Sequence, residues 1–273
     1  MTKIPKNIYR TAPTMHTALK KLYLNTELAN PGWKIKFYND EDCLTFLKED
    51  FSNDNEDFKN DVLFSYNRLK PGAYKADLWR LCVIYEYGGV YSDATQRFKI
   101  PIDKIIDTTK DFCIVKDKCS KMDKLSKKPV VSGALQIALF ASVKKHPFLK
   151  KYIETIIYNV RNLFYGPGTL CVTGPVLAYQ VAKRFNFLKD ITIIGIQGKD
   201  QYLNNKGVSI VQTKKKNHNK IIYGNNKTYI TLWTERNIYN LSNEEKLKLK
   251  SLKKNTKIRQ KVKTRARIFA SML

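Results

Sequence analysis

Apolar residues recur along most of this chain with the periods of strands and helices that alternate. Short apolar runs at 4–9, 35–38, 111–115 and 191–196 predict strands. The longer run at 73–87 contains neither proline nor glycine and is apolar around most of its circumference, so it predicts a helix packed in a core. Together these segments predict an α/β domain.

Cap and turn residues indicate where several elements begin. Asn39 follows the second predicted strand and predicts the cap of a helix that runs through Phe51. Pro147 and Pro175 each predict the first turn of a later helix, because proline fits that position without losing a hydrogen bond. The polar residues 52–61 predict a connection.

Two charged residues interrupt the long apolar helix. Asp77 and Arg80 are three residues apart, so they project from one side and can either bind a common ligand or pair with each other. Gly88 and Gly89 predict the end of this helix, since glycine adopts the left-handed conformation at least cost. A short strand follows and places Asp93 at its carboxyl end, where open α/β sheets bind ligands.

This arrangement resembles the sugar-binding region of retaining glycosyltransferases of the GT-A type, specifically glycosyltransferase family 32. In that family an Asp-x-x-Arg helix precedes Gly-Gly-x-Tyr-x-Asp-x-Asp. The resemblance covers about residues 3 to 180, with weaker likeness to about 235. Further short motifs agree in the same order, at 4–11, 30–40, 131–134, 146–148 and 173–175.

The resemblance implies a GT-A fold, with a mixed, mostly parallel sheet flanked by helices, and the transfer of a hexose from a nucleotide sugar, UDP-linked rather than GDP-linked. The acceptor is expected to be a hydroxyl of a glycan, lipid or protein. By resemblance, the catalytic residues are Asp77, Arg80 and Asp93. The residues expected to bind the donor nucleotide are Ile8, Tyr9, Thr11 and Ser92, together with those three. The residues expected on the acceptor or sugar side are Ser132, Gly133, Ala134 and Trp233.

The second acid of the family pattern is replaced here by Thr95. A hydroxyl is a weaker ligand for a hard cation than a carboxylate. Three alternatives follow. Asp93 and Thr95 bind a Mn²⁺ or Mg²⁺ ion carried mainly by the donor diphosphate, a nearby Lys or Arg replaces the cation, or catalysis is weak or lost. The first is favoured, because Mg²⁺ commonly keeps water and phosphate ligands.

Composition restricts the compartment and the metal chemistry. No run approaches the roughly 18 apolar residues of a membrane span, and the first residues lack the apolar core of a signal peptide. We therefore expect a cytoplasmic protein or one peripheral to the cytoplasmic membrane face. Five scattered cysteines without a Cys-x-x-Cys pair, and only three histidines, argue against a disulfide framework and a zinc site.

The formal net charge is +26, and it is concentrated towards the end of the chain. Residues 241–273 carry eleven basic and two acidic side chains, and Ser242 to Glu245 resemble a helix cap. We therefore divide the chain into a transferase domain, 1–240, and a basic helical extension, 241–273. That extension is either a solvated helix or a contact with an anionic membrane surface.

Two other classes of function stay open. A protein of this fold that binds sugar nucleotides without turnover would also explain Thr95. A nucleic-acid-binding protein would explain the charge, but no recognisable motif supports it, so nucleic acid is not an expected partner.

Overall fold

The computed structural model describes residues 3–117, 133–213 and 228–247. Within these residues, nine strands form one sheet. The strands are β1 (Asn7–Thr11), β2 (Lys34–Tyr38), β3 (Gly89–Ser92), β4 (Arg97–Phe98), β5 (Phe112–Asp117), β6 (Ala134–Ser142), β7 (Thr192–Gln197), β8 (Gln201–Leu203) and β9 (Ser209–Gln212).

Helices connect most of these strands. They are α1 (Thr17–Leu28), α2 (Asp40–Glu49), α3 (Glu56–Arg68), α4 (Gly72–Tyr87), α5 (Pro147–Arg161), α6 (Pro175–Arg184) and α7 (Tyr229–Thr234). Single 3₁₀ turns lie at Ile102–Lys104, Thr169–Cys171 and Phe187–Lys189.

The sheet is mixed, in the order β2-β1-β3-β6-β5-β7-β8-β9-β4. Strand β1 pairs in parallel with β2 and β3, and β5 pairs in parallel with β7. Strand β6 runs antiparallel to both β3 and β5. The carboxyl ends of β1 and β3 therefore meet the beginning of β6 at one edge, and the predicted α/β fold with a mixed sheet is confirmed.

Helix α4 is the predicted core helix, and it packs on β1, β3 and β6. It ends at Tyr87 and is followed by its cap residue, Gly88, whose φ is +66°. A Cβ at Gly88 would lie 2.8 Å from the backbone nitrogen of Lys144, so this position combines a left-handed conformation with a close approach. Strand β3 begins at the next residue, Gly89, so a single residue joins the helix to the strand.

The predicted cap of α2 is confirmed. Asn39 accepts hydrogen bonds from the backbone of Glu41 and Asp42, and the Asp42 carboxylate accepts one from the backbone of Asn39. The prediction of a connection over 52–61 is wrong, because α3 begins at Glu56. The polar residues form the first turn of α3, and the Asn55 side chain caps it by accepting from the backbone of Phe58 at 3.0 Å.

Strand β6 begins within the residues expected on the acceptor or sugar side. Ala134 is the first residue of β6 and pairs with Asp117, because β6 continues the sheet between β3 and β5. Gly133 directly precedes the strand, and Ser132 lies outside the described residues.

The contacts within the chain divide after Ile238, and residues 239–247 of the second unit are described. There the predicted cap is present, because Ser242 and Glu245 exchange hydrogen bonds between side chain and backbone. The rest of the basic extension, and with it most of the predicted membrane contact, lies outside the described residues. Among the described helices, none has both the length and the apolarity needed to cross a membrane.

Candidate active site

The structure brings Asp77, Arg80 and Asp93 together near the carboxyl ends of β1 and β3, beside the first half of β6. Arg80 Nη2 lies 3.2 Å from Asp77 Oδ1, and Arg80 Nη1 lies 3.3 Å from Asp93 Oδ1. Sequence spacing predicted that Asp77 and Arg80 share one side of a helix. The fold adds that the same guanidinium also bridges to the acid of the strand.

The Arg80 guanidinium is fixed on every side. Its Nε donates to the carbonyl of Ala76 at 3.1 Å, and Nη1 donates to the carbonyl of Ile137 at 3.1 Å. The guanidinium carbon lies 4.4 Å from the centre of the Tyr91 ring. Burial by itself would lower the pKa of Arg80, but Tyr91, Asp93 and Asp77 raise it above its ordinary value. Arg80 is therefore a fixed cation.

Asp77 is the buried acid of the site. Its Oδ2 accepts a hydrogen bond of 2.7 Å from the Thr173 hydroxyl. Thr173 is held in turn by Tyr152, whose single hydroxyl hydrogen is shared between the carbonyls of Thr173 at 2.6 Å and Gly174 at 2.8 Å. Burial raises the pKa of Asp77 to about 6, against the lowering effects of Arg80 and Thr173. Asp77 is thus ionised at neutral pH and becomes protonated in mild acid.

Asp93 is the solvent-facing acid, with 40% of its side chain exposed. The Tyr91 hydroxyl donates to Asp93 Oδ1 at 2.9 Å, and the Asp93 backbone N–H donates to the carbonyl of Ala138 at 2.9 Å. These contacts fix Asp93 at the end of β3 and leave part of its carboxylate available to a ligand.

The turn that follows Asp93 rests on a chain of buried polar groups. Ser92 donates to Gln96 Oε1 at 3.0 Å, and Gln96 Nε2 donates to the Tyr202 hydroxyl at 3.1 Å. Ser92 is fully buried, so its hydroxyl supports the turn. The predicted contact between Ser92 and the donor stays a prediction.

The resemblance implies a Mn²⁺ or Mg²⁺ ion on Asp93 and Thr95, and hard cations prefer carboxylate ligands. Asp93 Oδ1 already receives Arg80 and Tyr91, and Thr95 offers a neutral hydroxyl. Within the part of the chain that the structure describes, no group of three or more His, Cys, Asp or Glu side chains could hold a metal ion. These residues do not fit a cation held by the protein, and the metal stays a prediction from the resemblance.

The nucleotide-binding residues predicted on β1 are mostly buried. Ile8 lies within an apolar core cluster, so only its backbone can contact a ligand. Tyr9 is stacked on Tyr87 with ring centres 6.1 Å apart. Thr11 ends the strand at the site edge, and its hydroxyl lies 3.2 Å from Cys43 Sγ. Of the three, Thr11 is nearest to the end of the strand, and the nucleotide contact stays a prediction.

The residues predicted on the acceptor side lie in two parts of the fold, the start of β6 and helix α7. Gly133 lies under Tyr179, since a Cβ there would come within 2.8 Å of the ring, and Ala134 is buried at the start of β6. Trp233 lies on α7 and donates from Nε1 to the carbonyl of Tyr165 at 2.7 Å. Their contact with an acceptor stays a prediction.

Three supporting residues were not identified from the sequence. Thr173 holds Asp77, and Tyr91 holds Asp93. Tyr229, on α7, lies 5.8 Å from Tyr74 between ring centres and is close enough to Asp77 for the carboxylate to raise its pKa, an effect smaller than that of burial. The agreement of residues 173–175 with a family motif could have pointed to Thr173, whereas no motif in the sequence of α7 pointed to Tyr229.

Known proteins resemble parts of this chain. Residues 18–113 match a family model described as the glycosyltransferase sugar-binding region containing DXD motif. Inositol phosphoceramide mannosyltransferase 1 of Schizosaccharomyces pombe is 29% identical over 154 residues, which are 56% of this chain and 41% of that protein. The match therefore spans less than half the length of that relative.

Two solved structures also resemble the chain. PaToxG glycosyltransferase is 18% identical with a TM-score of 0.46, over 67% of this chain and 70% of that one. The UDP-bound glycosyltransferase domain from the YGT toxin is 10% identical with a TM-score of 0.39, over 68% of each chain.

The matched residues 18–113 include Asp77, Arg80 and Asp93, the three side chains that the fold joins through one guanidinium. Residues 18–113 are therefore similar to the glycosyltransferase sugar-binding region of the DXD type, which supports the glycosyltransferase resemblance that the motifs predicted.

Proposed function

We propose that this protein transfers a hexose from a nucleotide-sugar donor to an acceptor hydroxyl, with retention of the anomeric configuration. The observation that carries the proposal is the bridge from Asp77 through Arg80 to Asp93, which lies inside the matched sugar-binding region. The proposed donor is a UDP-hexose, by the family resemblance.

The two acids are suited to different tasks. Asp77 is buried and held by Thr173 and Arg80, so it can accept hydrogen bonds from sugar hydroxyls at a defined position. Asp93 is partly exposed and can accept from a ribose or sugar hydroxyl at the strand end. Arg80 orients both carboxylates, and it places a fixed positive charge beside the departing diphosphate.

The proposed reaction exchanges two bonds at the anomeric carbon. The bond to the diphosphate oxygen breaks, the bond to the acceptor oxygen forms on the same face, and the leaving oxygen takes the acceptor proton. This route needs no enzymic nucleophile, in contrast to retaining glycoside hydrolases, which use a pair of carboxylates. It therefore agrees with a site in which both acids are already bonded to Arg80.

The acceptor is proposed to be a glycan or glycolipid. The relative from Schizosaccharomyces pombe is named for mannose transfer to inositol phosphoceramide, which supports a lipid among the acceptors to be tried.

Release of free nucleotide from a panel of UDP- and GDP-hexoses tests the proposal. We expect Asp77→Ala and Asp93→Ala each to lose at least about 100-fold in turnover, the scale on which loss of one preorganised polar group acts. Asp111→Asn is the matched control, because Asp111 forms an exposed pair with Lys3. Wild-type turnover by purified Asp93→Ala would refute the assignment.

A second candidate function is the binding of a nucleotide sugar without turnover. The replacement of the second acid by Thr95 favours this alternative. Calorimetric binding of a UDP-hexose by a protein that releases no nucleotide with any acceptor would establish it.

A further inference from the structure

Arg10 is a buried cation directly beneath the turn that carries Asp93 and Thr95. It lies near the end of β1 and its side chain is fully buried. Its Nη1 donates to the carbonyl of Ala94 at 3.3 Å. Ala94 is the residue between Asp93 and Thr95, so Arg10 contacts the turn from the side opposite to solvent.

The surroundings of Arg10 compensate its charge only in part. Its guanidinium carbon lies 4.8 Å from the centre of the Tyr23 ring and 5.6 Å from that of Phe98. Among the described residues, its Nε and Nη2 have no hydrogen-bond partner. Burial lowers the pKa of Arg10, while Tyr23, Tyr91 and Asp93 act in the opposite direction. Arginine nevertheless stays charged in proteins.

A buried cation with few hydrogen bonds tends to destabilise a fold, and an apolar side chain of similar volume would often be better tolerated. The strand end needs no charge for its packing, because Tyr23 and Phe98 already surround the position with aromatic rings. A function at the turn is therefore the better explanation of Arg10 than the stability of the fold.

We propose that Arg10 supplies, through the Asp93–Gln96 turn, positive charge for the donor diphosphate that a cation on a second carboxylate would otherwise supply. This inference rests on the proposed function. The turn is already ordered by Tyr91, Gln96 and Arg10 itself, so no metal ion is needed to shape it. Arg10 is a positioning residue, since Ala94 stands between it and the ligand side.

Calorimetry in EDTA tests the inference, with UDP and GDP as probes and uridine and guanosine as the matching nucleosides. We expect the wild-type protein to bind one of the two diphosphates without metal. Arg10→Met and Arg10→Gln should each weaken that binding about tenfold, equal to about 1.4 kcal/mol, and change nucleoside binding by less than about twofold. Lys104→Gln, at an exposed lysine, controls for the loss of one positive charge and should change neither.

The two variants separate charge from packing. Arg10→Met should melt at or above the wild-type temperature, because it removes a poorly compensated buried charge. Arg10→Gln keeps a hydrogen-bond donor for the carbonyl of Ala94. If Arg10→Met does not fold, Arg10→Gln still allows diphosphate binding to be compared with nucleoside binding.

Three results would overturn the inference. Equal losses for diphosphate and nucleoside would show a merely structural role for Arg10. Binding by wild type that requires Mn²⁺ would show that a metal, and not Arg10, supplies the charge. Wild-type protein that binds neither diphosphate, with or without Mn²⁺, would refute the proposed function itself, and this inference with it.

Discussion

Asp77 should make the stability of this protein fall as the pH rises through mild acid. Its side chain is 14% exposed, and burial raises its pKa from 3.8 to about 6. The unfolded chain releases this proton near pH 3.8, whereas the folded chain keeps it to about pH 6. Between these values the folded state binds more protons, so its free energy of unfolding decreases as the pH increases.

The size of this effect follows from the shift of the pKa. Each unit of pKa difference corresponds to about 1.36 kcal/mol, so Asp77 costs the folded state about 3 kcal/mol at neutral pH relative to acid. Asp77→Asn has nearly the same shape and no charge to titrate. We therefore expect the stability of the variant minus that of wild type to rise by about 2 kcal/mol between about pH 4 and pH 7, the rest of the difference lying outside this range.

Urea unfolding followed by tryptophan fluorescence measures this difference, because Trp33 and Trp79 are both buried. Using the difference between two proteins removes the titration of all other groups that behave alike in both. Stability curves for wild type and Asp77→Asn that run parallel from pH 4 to pH 7 would refute the argument that Asp77 is a buried acid with a raised pKa.

Three further changes test single contacts. Thr173→Val removes the hydroxyl that donates a hydrogen bond to Asp77, which should raise the pKa of Asp77. The pH below which the affinity for the nucleotide sugar falls should therefore move up by as much as about one unit. KM measured against pH tests this, with Thr173→Ser as control. Gly88→Ala should cost more than about 2 kcal/mol in urea unfolding, because its Cβ would lie 2.8 Å from a backbone nitrogen at φ +66°. Gly32→Ala, at φ +88° with nothing within 4 Å, should cost only about 1 kcal/mol, so equal losses would contradict the steric argument. Asn39→Ala should lose about 1 kcal/mol through its helix cap while Asn39→Ser loses little, which thermal melting of both variants would show.

The core of the site was predictable because it is local in the chain. Asp77 and Arg80 share a helix, and one glycine separates that helix from the strand that ends before Asp93. Helix spacing and the glycine stop therefore fix the order of these groups without any long-range contact. The contact of Thr173 with Asp77 joins residues 96 positions apart, and no local pattern reports such a contact.

Two elements show where local patterns mislead. The first turn of α3 is polar, and its buried residues Val62, Ser65 and Tyr66 come later, so 52–61 resembled a connection. Strand β6 is buried along nearly its whole length, and a continuous apolar run does not distinguish a central strand from a buried helix. Arg10 was missed for another reason, since a charged residue inside a strand gives no sign that the fold buries it.

The single residue between α4 and β3 has a consequence for how this protein can be altered. Because Gly88 alone joins the helix to the strand, the two acids on Arg80 cannot change their separation by the movement of a loop. An inserted residue there would rotate the helix or shift the strand, and either change would break the bridge. We therefore expect new sugar or acceptor specificity, in nature or by design, to arise from changes in the segments around α4, Gly88 and β3. These three are expected to stay unchanged in length.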